Sequence, residues 1–235
     1  MYEFTSRVRY SEIRPDLGMK LSSMAARMQD CCVFQSEAAG CGPADWKQGR
    51  RAWIILSWQI RIHDIPVFNE AVTTRTWAYY FKNMRGDRNF TMSGPDGRLL
   101  AEANSHWCYF DLNAQRPVRV PAEDIAAFGT EPKLPHLDAP RKIALPREEG
   151  VRQESFAARL SDIDTNRHVN NLHFIDMACA YLPDGADVKE LRVEYARQCR
   201  LGEIICPVVW QLPEGTAVSL GDEAGKPYAN CLFLF

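Results

Sequence analysis

The sequence predicts an α+β fold of two tandem units, each with a central helix wrapped by a curved antiparallel sheet. Three observations support this prediction: an internal repeat, one helix signal near the start of each half, and several strand signals after each helix. Six prolines between 117 and 150 separate the halves. We therefore predict an N-terminal unit over 1–116, a linker over 117–150 and a C-terminal unit over 151–235.

The two halves share three blocks of similar sequence in the same order. The aligned pairs are 9–28 with 159–178, 60–77 with 193–210, and 97–103 with 225–231. The first pair opens in both copies with arginine, any residue, serine, an acid and isoleucine. Because the order of the blocks also recurs, we predict that one unit has been duplicated.

The predicted elements follow one order in each unit. A short strand and a polar turn come first, and a helix follows at Met19–Ala39 in the first unit and at Asn171–Tyr181 in the second. Residues 53–62 alternate apolar and other side chains with the period of a half-buried strand. The further predicted elements are strands at 72–81, 88–93, 99–111, 191–199, 203–211, 216–220 and 227–235, and a short helix at 122–128.

Composition excludes several classes of protein. The chain is 46% hydrophobic and 25% charged, with a formal net charge of −2, so nothing global indicates nucleic-acid binding. No apolar run approaches the roughly 18–20 residues of a membrane span. The eight cysteines form no C-x-x-C pair, which is typical of buried thiols in a reducing compartment. The N-terminus carries no signal or transit pattern, so we predict a cytoplasmic protein.

The segment SDIDTNRHVNN, residues 161–171, concentrates polar side chains before the second helix. Asn170 or Asn171 can cap that helix, whose first amides could then polarise a carbonyl oxygen. If the preceding segment is extended, Asp164, Asn166 and His168 share one face. Such a set can hydrolyse an acyl bond, with the carboxylate activating water or attacking directly. A polar turn with a helix cap is the structural alternative.

A metal site fits this segment poorly. A calcium loop that began at Asp162 would need glycine where Arg167 stands and a bidentate glutamate where His173 stands. For zinc, His168 and His173 are five residues apart and no third ligand is evident. We therefore predict no metal, and no organic cofactor is implied.

The internal repeat serves as a control for the polar set. The first unit has Arg14, Asp16 and Gly18 at the positions of the carboxylate, amide and imidazole. We therefore predict that the chemistry belongs to the second unit. The first unit would bind the apolar part of a substrate, with Met24 and Met28 of its helix as candidate contacts. The alternative for these methionines is an ordinary core.

Three stretches resemble the acyl-ACP thioesterases, which release fatty acids from acyl carrier protein. They are D-x-N-x-H-V-N-N at 164–171, EYARQC at 194–199 and the long run at 51–77. The resemblance covers nearly the whole chain. It implies a double hotdog fold, a fatty acyl thioester substrate and acyl carrier protein as partner. It also implies that the second unit is catalytic and that the first houses the acyl chain.

By motif position, Asp164, Asn166 and His168 take the catalytic places of that family. One position departs, because the family's glutamate before the cysteine is Gln198 here, which cannot titrate. Cys199 matches the family's cysteine, and a nucleophilic cysteine needs a base to form thiolate. We favour Asp164 as base or nucleophile, with Cys199 as the alternative nucleophile.

Carrier proteins are acidic, so the resemblance also implies a basic docking face. The candidates are Arg192, Arg197, Arg200, Arg85 and Arg88, with ordinary surface charge as the alternative for each. Whether the protein forms a homodimer stays an open question, since a double hotdog already supplies internally the pairing that single hotdogs obtain by dimerising. The rival functions are an acyl-CoA thioesterase of the hotdog class and a non-catalytic acyl-binding protein.

Overall fold

The computed structural model describes residues 1–42 and 51–235, which form two compact units, Met1–Ala139 and Pro140–Phe235. The division between the units falls inside the predicted linker, whose limits at 117 and 150 stay a prediction. Each unit contains a helix and an antiparallel sheet. Among the described residues, no helix combines the length and the apolar character that a membrane crossing requires.

In the first unit the strands pair in the order β1-β3-β4-β5-β2, and every pairing is antiparallel. Helix α1 packs on β1 and β3, and the short strand β6 extends β5. The elements are β1 (Tyr2–Arg7), α1 (Leu21–Ala38), β2 (Arg51–Ile62), β3 (Ala71–Lys82), β4 (Arg85–Ser93), β5 (Leu99–Asp111), β6 (Arg116–Pro117) and α2 (Ala122–Phe128).

One face of α1 forms the core of the first unit. Met24, Met28, Cys31 and Cys32 recur at helical spacing, and each is at most 6% exposed. Strand residues such as Phe90 are equally buried. The helix is therefore held by burial of one apolar face rather than by a capping side chain, since its N-cap residue makes no side-chain cap.

In the second unit the strands pair in the order β9-β12-β11-β10-β7, again antiparallel, with β8 on β10. Helix α3 packs on β11 and β12 through buried Phe174, Ile175 and Ala178. The elements are β7 (Val151–Arg152), β8 (Phe156–Ala157), α3 (Asn171–Cys179), β9 (Glu190–Tyr195), β10 (Ile204–Leu212), β11 (Gly215–Gly221) and β12 (Pro227–Leu234).

Most predicted elements are present, and the differences lie at their ends. β5 and α2 have the predicted limits, whereas α1 begins at Leu21 and α3 ends at Cys179. β9 ends at Tyr195, four residues before the predicted end. The reason is that the amides of Ala196 and Arg197 both donate to the carbonyl of Tyr228, which breaks the regular ladder.

A tryptophan in each unit fixes part of the predicted linker. The indole of Trp77 donates to the carbonyl of Pro132 at 2.8 Å, and that of Trp210 donates to the carbonyl of Glu148 at 2.8 Å. The two tryptophans occupy equivalent positions of the repeat. The duplicated sequence therefore makes the same kind of contact twice.

Candidate active site

Asp164 opens a tight turn in the second unit. Its carbonyl accepts from the amide of Arg167 at 3.0 Å, and its own amide donates to the carbonyl of His168 at 2.8 Å. Arg167 is left-handed, with φ of 63°. The expectation of an extended segment with three side chains on one face is therefore wrong, because the chain reverses between Asp164 and His168.

The Asp164 carboxylate is held by the turn that it begins. Its Oδ1 accepts from the backbone amides of Asn166 at 2.8 Å and His168 at 3.3 Å, and its Oδ2 accepts from the Asn166 side chain at 3.4 Å. Asp164 is half-buried and Asn166 is exposed. These bonds fix the carboxylate and leave it acceptor capacity for a water or for an acyl carbon in attack.

Backbone pairing brings the two predicted motifs together. The amide of Val169 donates to the carbonyl of Cys199 at 2.8 Å, and His168 forms a β-bridge with Arg200. The D-x-N-x-H segment and the end of the EYARQC segment thus lie side by side. Both motifs are recognisable in the sequence, whereas the contact between them is formed by the fold.

His168 is half-buried, and burial lowers its pKa below the ordinary value. The charge of Asp164 acts in the opposite direction, the charge of Arg200 lowers the pKa further, and the charge of Glu203 raises it. Because burial dominates, the imidazole is neutral near pH 7. A neutral ring can accept a proton or orient a bound water.

Cys199 is fully buried, and burial raises the pKa of its thiol to about 11, with Glu203 acting in the same direction. A thiol with this pKa stays protonated near neutral pH, which disfavours it as a nucleophile. Gln198 beside it is exposed. The catalytic roles of both residues stay predictions.

The start of α3 confirms Asn170 as the helix cap. Its side chain accepts from the amide of Leu172 at 3.0 Å, and its carbonyl accepts from the amide of His173 at 2.9 Å. Asn171 is the first helical residue, and its carbonyl accepts from the hydroxyl of Tyr195 at 3.0 Å. Within the described residues the Asn171 amide makes no hydrogen bond, so one first-turn donor remains for a carbonyl oxygen.

Sequence reasoning missed Glu203 as a member of this site. Its carboxylate accepts from the Arg200 amide at 2.9 Å, and its charge acts on both His168 and Cys199. The equivalent Glu70 accepts from the Val67 amide at 3.0 Å. Glu70 and Glu203 are equivalent in the internal repeat, which indicates a shared structural role. Only Glu203 has an imidazole and a thiol within reach of its charge.

The predicted docking arginines of the second unit differ in their contacts. Arg200 is exposed beside His168. Arg197 forms an ion pair with Asp222 at 2.7 Å. Arg192 donates to the carbonyl of Pro140 at 2.6 Å. Arg200 is therefore the best placed of the three to meet a partner.

In the first unit, Arg85 forms an ion pair with Asp87 at 2.6 Å. Arg88 is 6% exposed, so its prediction as a surface docking residue is wrong. Neighbouring residues on both faces of β4, such as Asp87 and Asn89, are buried as well, and a buried guanidinium cannot meet a carrier protein.

Met24 and Met28 are both fully buried in the core of the first unit. A pocket in this unit has a cavity volume of about 10 Å³, which suits a single water. Its lining residues are Cys32, Trp53, Phe81, Gly86, Arg88 and Trp107. The two methionines do not line it, and their contact with an acyl chain stays a prediction.

Across residues 1–42 and 51–235, no group of three or more histidine, cysteine, aspartate and glutamate side chains is arranged to hold a metal ion. The site built here consists of a fixed carboxylate, a neutral imidazole and a helix-start amide. A carboxylate and a neutral imidazole are groups that can activate water, and a helix-start amide is a group that can receive a developing oxyanion.

Two family models match most of the chain. The acyl-ACP thioesterase N-terminal domain matches residues 1–128, and the acyl-ACP thioesterase C-terminal domain matches residues 146–218. A palmitoyl-acyl carrier protein thioesterase of Gossypium hirsutum is 22% identical over 94% of this chain and 62% of its own length. Oleoyl-acyl carrier protein thioesterase 2 of Arabidopsis thaliana is 25% identical over 65% of this chain and 46% of its own length. The chain spans about half the length of the curated relatives it matches.

Solved structures share the fold over nearly the whole chain. An acyl-ACP thioesterase from Bacteroides thetaiotaomicron superposes with a TM-score of 0.90 at 18% identity, covering 99% of this chain and 96% of its own. A 12:0-ACP thioesterase from Umbellularia californica gives 0.83 at 18% identity, with the same coverage of both chains. These similarities confirm the predicted double hotdog fold. Together with the family models, they show that the chain belongs to the acyl-ACP thioesterase family.

Proposed function

We propose that this protein hydrolyses fatty acyl thioesters of acyl carrier protein to free fatty acid and carrier protein. The observation that supports this most directly is the Asp164 turn, which holds a carboxylate next to His168 just before the start of α3. The family supports the same reaction. Because this reaction releases the acyl group from its carrier, we also propose a role in fatty acid biosynthesis.

In this proposal Asp164 activates a water molecule or attacks the thioester carbon directly. His168 and Asn166 position the carboxylate or the thioester. The Asn171 amide receives the carbonyl oxygen as negative charge develops on it. The hydroxyl of water ends on the acyl carbon, and the carrier's sulfur leaves as a thiol. No step needs Cys199 as a nucleophile, and Gln198 can only hydrogen-bond.

We further propose that Arg200 contacts the acidic carrier protein. It is exposed beside His168, and no carboxylate of the described residues forms an ion pair with its side chain. Arg167, in the catalytic turn, is also exposed. The equivalent positions of the first unit carry Leu17 and Val67, which are apolar and about half exposed. Positive charge therefore lies beside the turn that carries the candidate catalytic residues.

The test is hydrolysis of one acyl group presented on carrier protein and on CoA. We expect higher kcat/KM on carrier protein, and a severalfold higher KM for Arg200→Ser on that substrate alone, shrinking as salt is raised. Equal kcat/KM on both carriers would favour the acyl-CoA thioesterase. Bound fatty acid without turnover would favour an acyl-binding protein. The cytoplasmic location and a homodimer stay predictions.

A further inference from the structure

Arg88 is a buried charge in the first unit. It is 6% exposed, donates from Nε to the hydroxyl of Thr76 at 3.3 Å and from Nη2 to the side-chain oxygen of Gln35. Its guanidinium also lies 5.4 Å from the centre of the Phe128 ring. All these partners are neutral, so the positive charge is solvated but not neutralised.

Buried arginines are normally paired, because removing a charge from water costs several kcal/mol. Arg27 follows this rule, since it is 3% exposed and forms an ion pair with Glu12 at 2.7 Å. Within residues 1–42 and 51–235, no carboxylate forms an ion pair with Arg88, whose hydrogen-bonded donors are Nε and Nη2. Burial raises the pKa of the Cys32 thiol, so that neighbour stays uncharged too.

The pocket beside Arg88 has apolar walls. Trp53, Phe81 and Trp107 supply aromatic rings, and the Trp107 indole already donates to the hydroxyl of Ser105 at 2.6 Å. Gly86 lies under the rings, since a Cβ there would approach Trp53 to 2.8 Å and Phe81 to 3.1 Å. Trp53 and Phe81 are partly exposed and form the outer wall. Among the described residues that line the pocket, Arg88 thus supplies the only charged group.

We propose that this pocket binds a free carboxylate that carries an apolar chain, with the carboxylate on Arg88 and the chain against the aromatic side chains. A carboxylate neutralises the guanidinium and matches its paired donors, which a neutral ligand cannot do. The present volume holds about one water, so binding requires the Trp53 and Phe81 rings to move apart. This binding does not depend on thioester hydrolysis.

The test uses decanoate and decanol, which share a chain length and differ in charge. Calorimetric titration of the whole protein should show one decanoate bound per chain. Arg88→Gln should weaken decanoate binding by at least about 30-fold and decanol binding by less than about threefold, because only the charged pair is lost. Arg88→Lys, which keeps the charge without the paired donors, should give an intermediate decanoate affinity.

Two controls separate this site from others. Asp164→Asn should bind decanoate as the wild type does, which excludes the candidate active site as the place of binding. Should Arg88→Gln fail to fold, Gly86→Ala pushes the aromatic rings into the pocket and should abolish binding of both ligands. The proposal would be overturned if the wild type bound no decanoate. It would also be overturned if Arg88→Gln, or a folded Gly86→Ala protein, bound decanoate as tightly as the wild type does.

Discussion

The two units build the same turn from different side chains. In the first unit the Leu17 amide donates to the Arg14 carbonyl at 3.0 Å, and the Arg14 amide donates to the Gly18 carbonyl at 2.8 Å. The Asp164 turn repeats both contacts within 0.1 Å. Leu17, like Arg167, is left-handed, with φ of 67°. The backbone of the turn therefore needs none of the candidate catalytic side chains.

The contacts that tie each turn to its sheet are also shared. The Met19 amide donates to the Pro66 carbonyl at 2.9 Å, as Val169 does to Cys199 at 2.8 Å. The β-bridge between Gly18 and Val67 matches that between His168 and Arg200. The two units differ in the side chains that this shared backbone carries. The two units share the backbone scaffold, and only the second carries a carboxylate and an imidazole at these positions.

The largest expected effect is that of Asp164→Asn. We expect acyl-carrier hydrolysis to fall by at least about 10²-fold, because general base or nucleophilic help is lost. The asparagine oxygen can still accept the amides of Asn166 and His168, so the fold should be kept. The measurement is kcat/KM with circular dichroism of both proteins.

The matched control is Asp16→Asn in the first unit. Asp16 accepts from the Gly18 amide at 3.0 Å, so this variant also changes a turn carboxylate to its amide. It should leave hydrolysis unchanged. Near-normal turnover by Asp164→Asn, or an equal loss in Asp16→Asn, would contradict the division of roles between the units.

A smaller effect should come from His168, whose equivalent in the first unit is Gly18. Burial holds its pKa below the ordinary 6.5, so the neutral ring persists to slightly acidic pH. We expect kcat/KM of the wild type to fall only when the pH is low enough to protonate His168. In His168→Asn this fall at acidic pH should be absent, and kcat should be about tenfold lower because the positioning by the imidazole is lost. An unchanged pH–rate profile in His168→Asn would rule out this role.

The same pKa direction has a consequence for stability. Because the folded state binds a proton less readily than the unfolded state, the contribution of His168 to the free energy of unfolding falls as pH drops through 6.5.

The duplicated scaffold can be tested with Trp77→Phe and Trp210→Phe. Each variant removes one indole-to-carbonyl hydrogen bond, so each should lower the free energy of unfolding by about 0.5–1.5 kcal/mol. Urea unfolding measures the change. Similar losses would support equivalent roles, whereas a loss in only one unit would show that the two contacts have diverged.

The smallest effect on activity is expected for Cys199→Ala, whose equivalent is Pro66. A thiol with a pKa of about 11 contributes little thiolate at neutral pH, so kcat/KM should stay within about threefold of wild type. Gln198→Glu provides a companion measurement, since it introduces the carboxylate that the family resemblance implies at this position. Abolished activity in a folded Cys199→Ala protein would replace the Asp164 mechanism with a thiol mechanism.

Much of the fold could be predicted because its signals are local. Period-2 alternation marked β2, and the asparagine pair before α3 marked the cap that Asn170 provides. Strand ends were less predictable. β9 ends early because two amides converge on the carbonyl of Tyr228, a residue more than 30 positions away in the chain.

The candidate site also has some features that the sequence determines and others that only the structure shows. The sequence alone determined that three blocks recur in the same order in both halves, that Asp164, Asn166 and His168 occur only in the second copy, and that position 198 is a glutamine. Those are properties of residue identity and order. The contact of His168 with Arg200, the burial of Cys199 and the enclosure of Arg88 with no carboxylate of the described residues beside it depend on strand pairing between distant segments. Only the tertiary structure decided them, because burial and charge pairing are set by neighbours that sequence spacing does not specify.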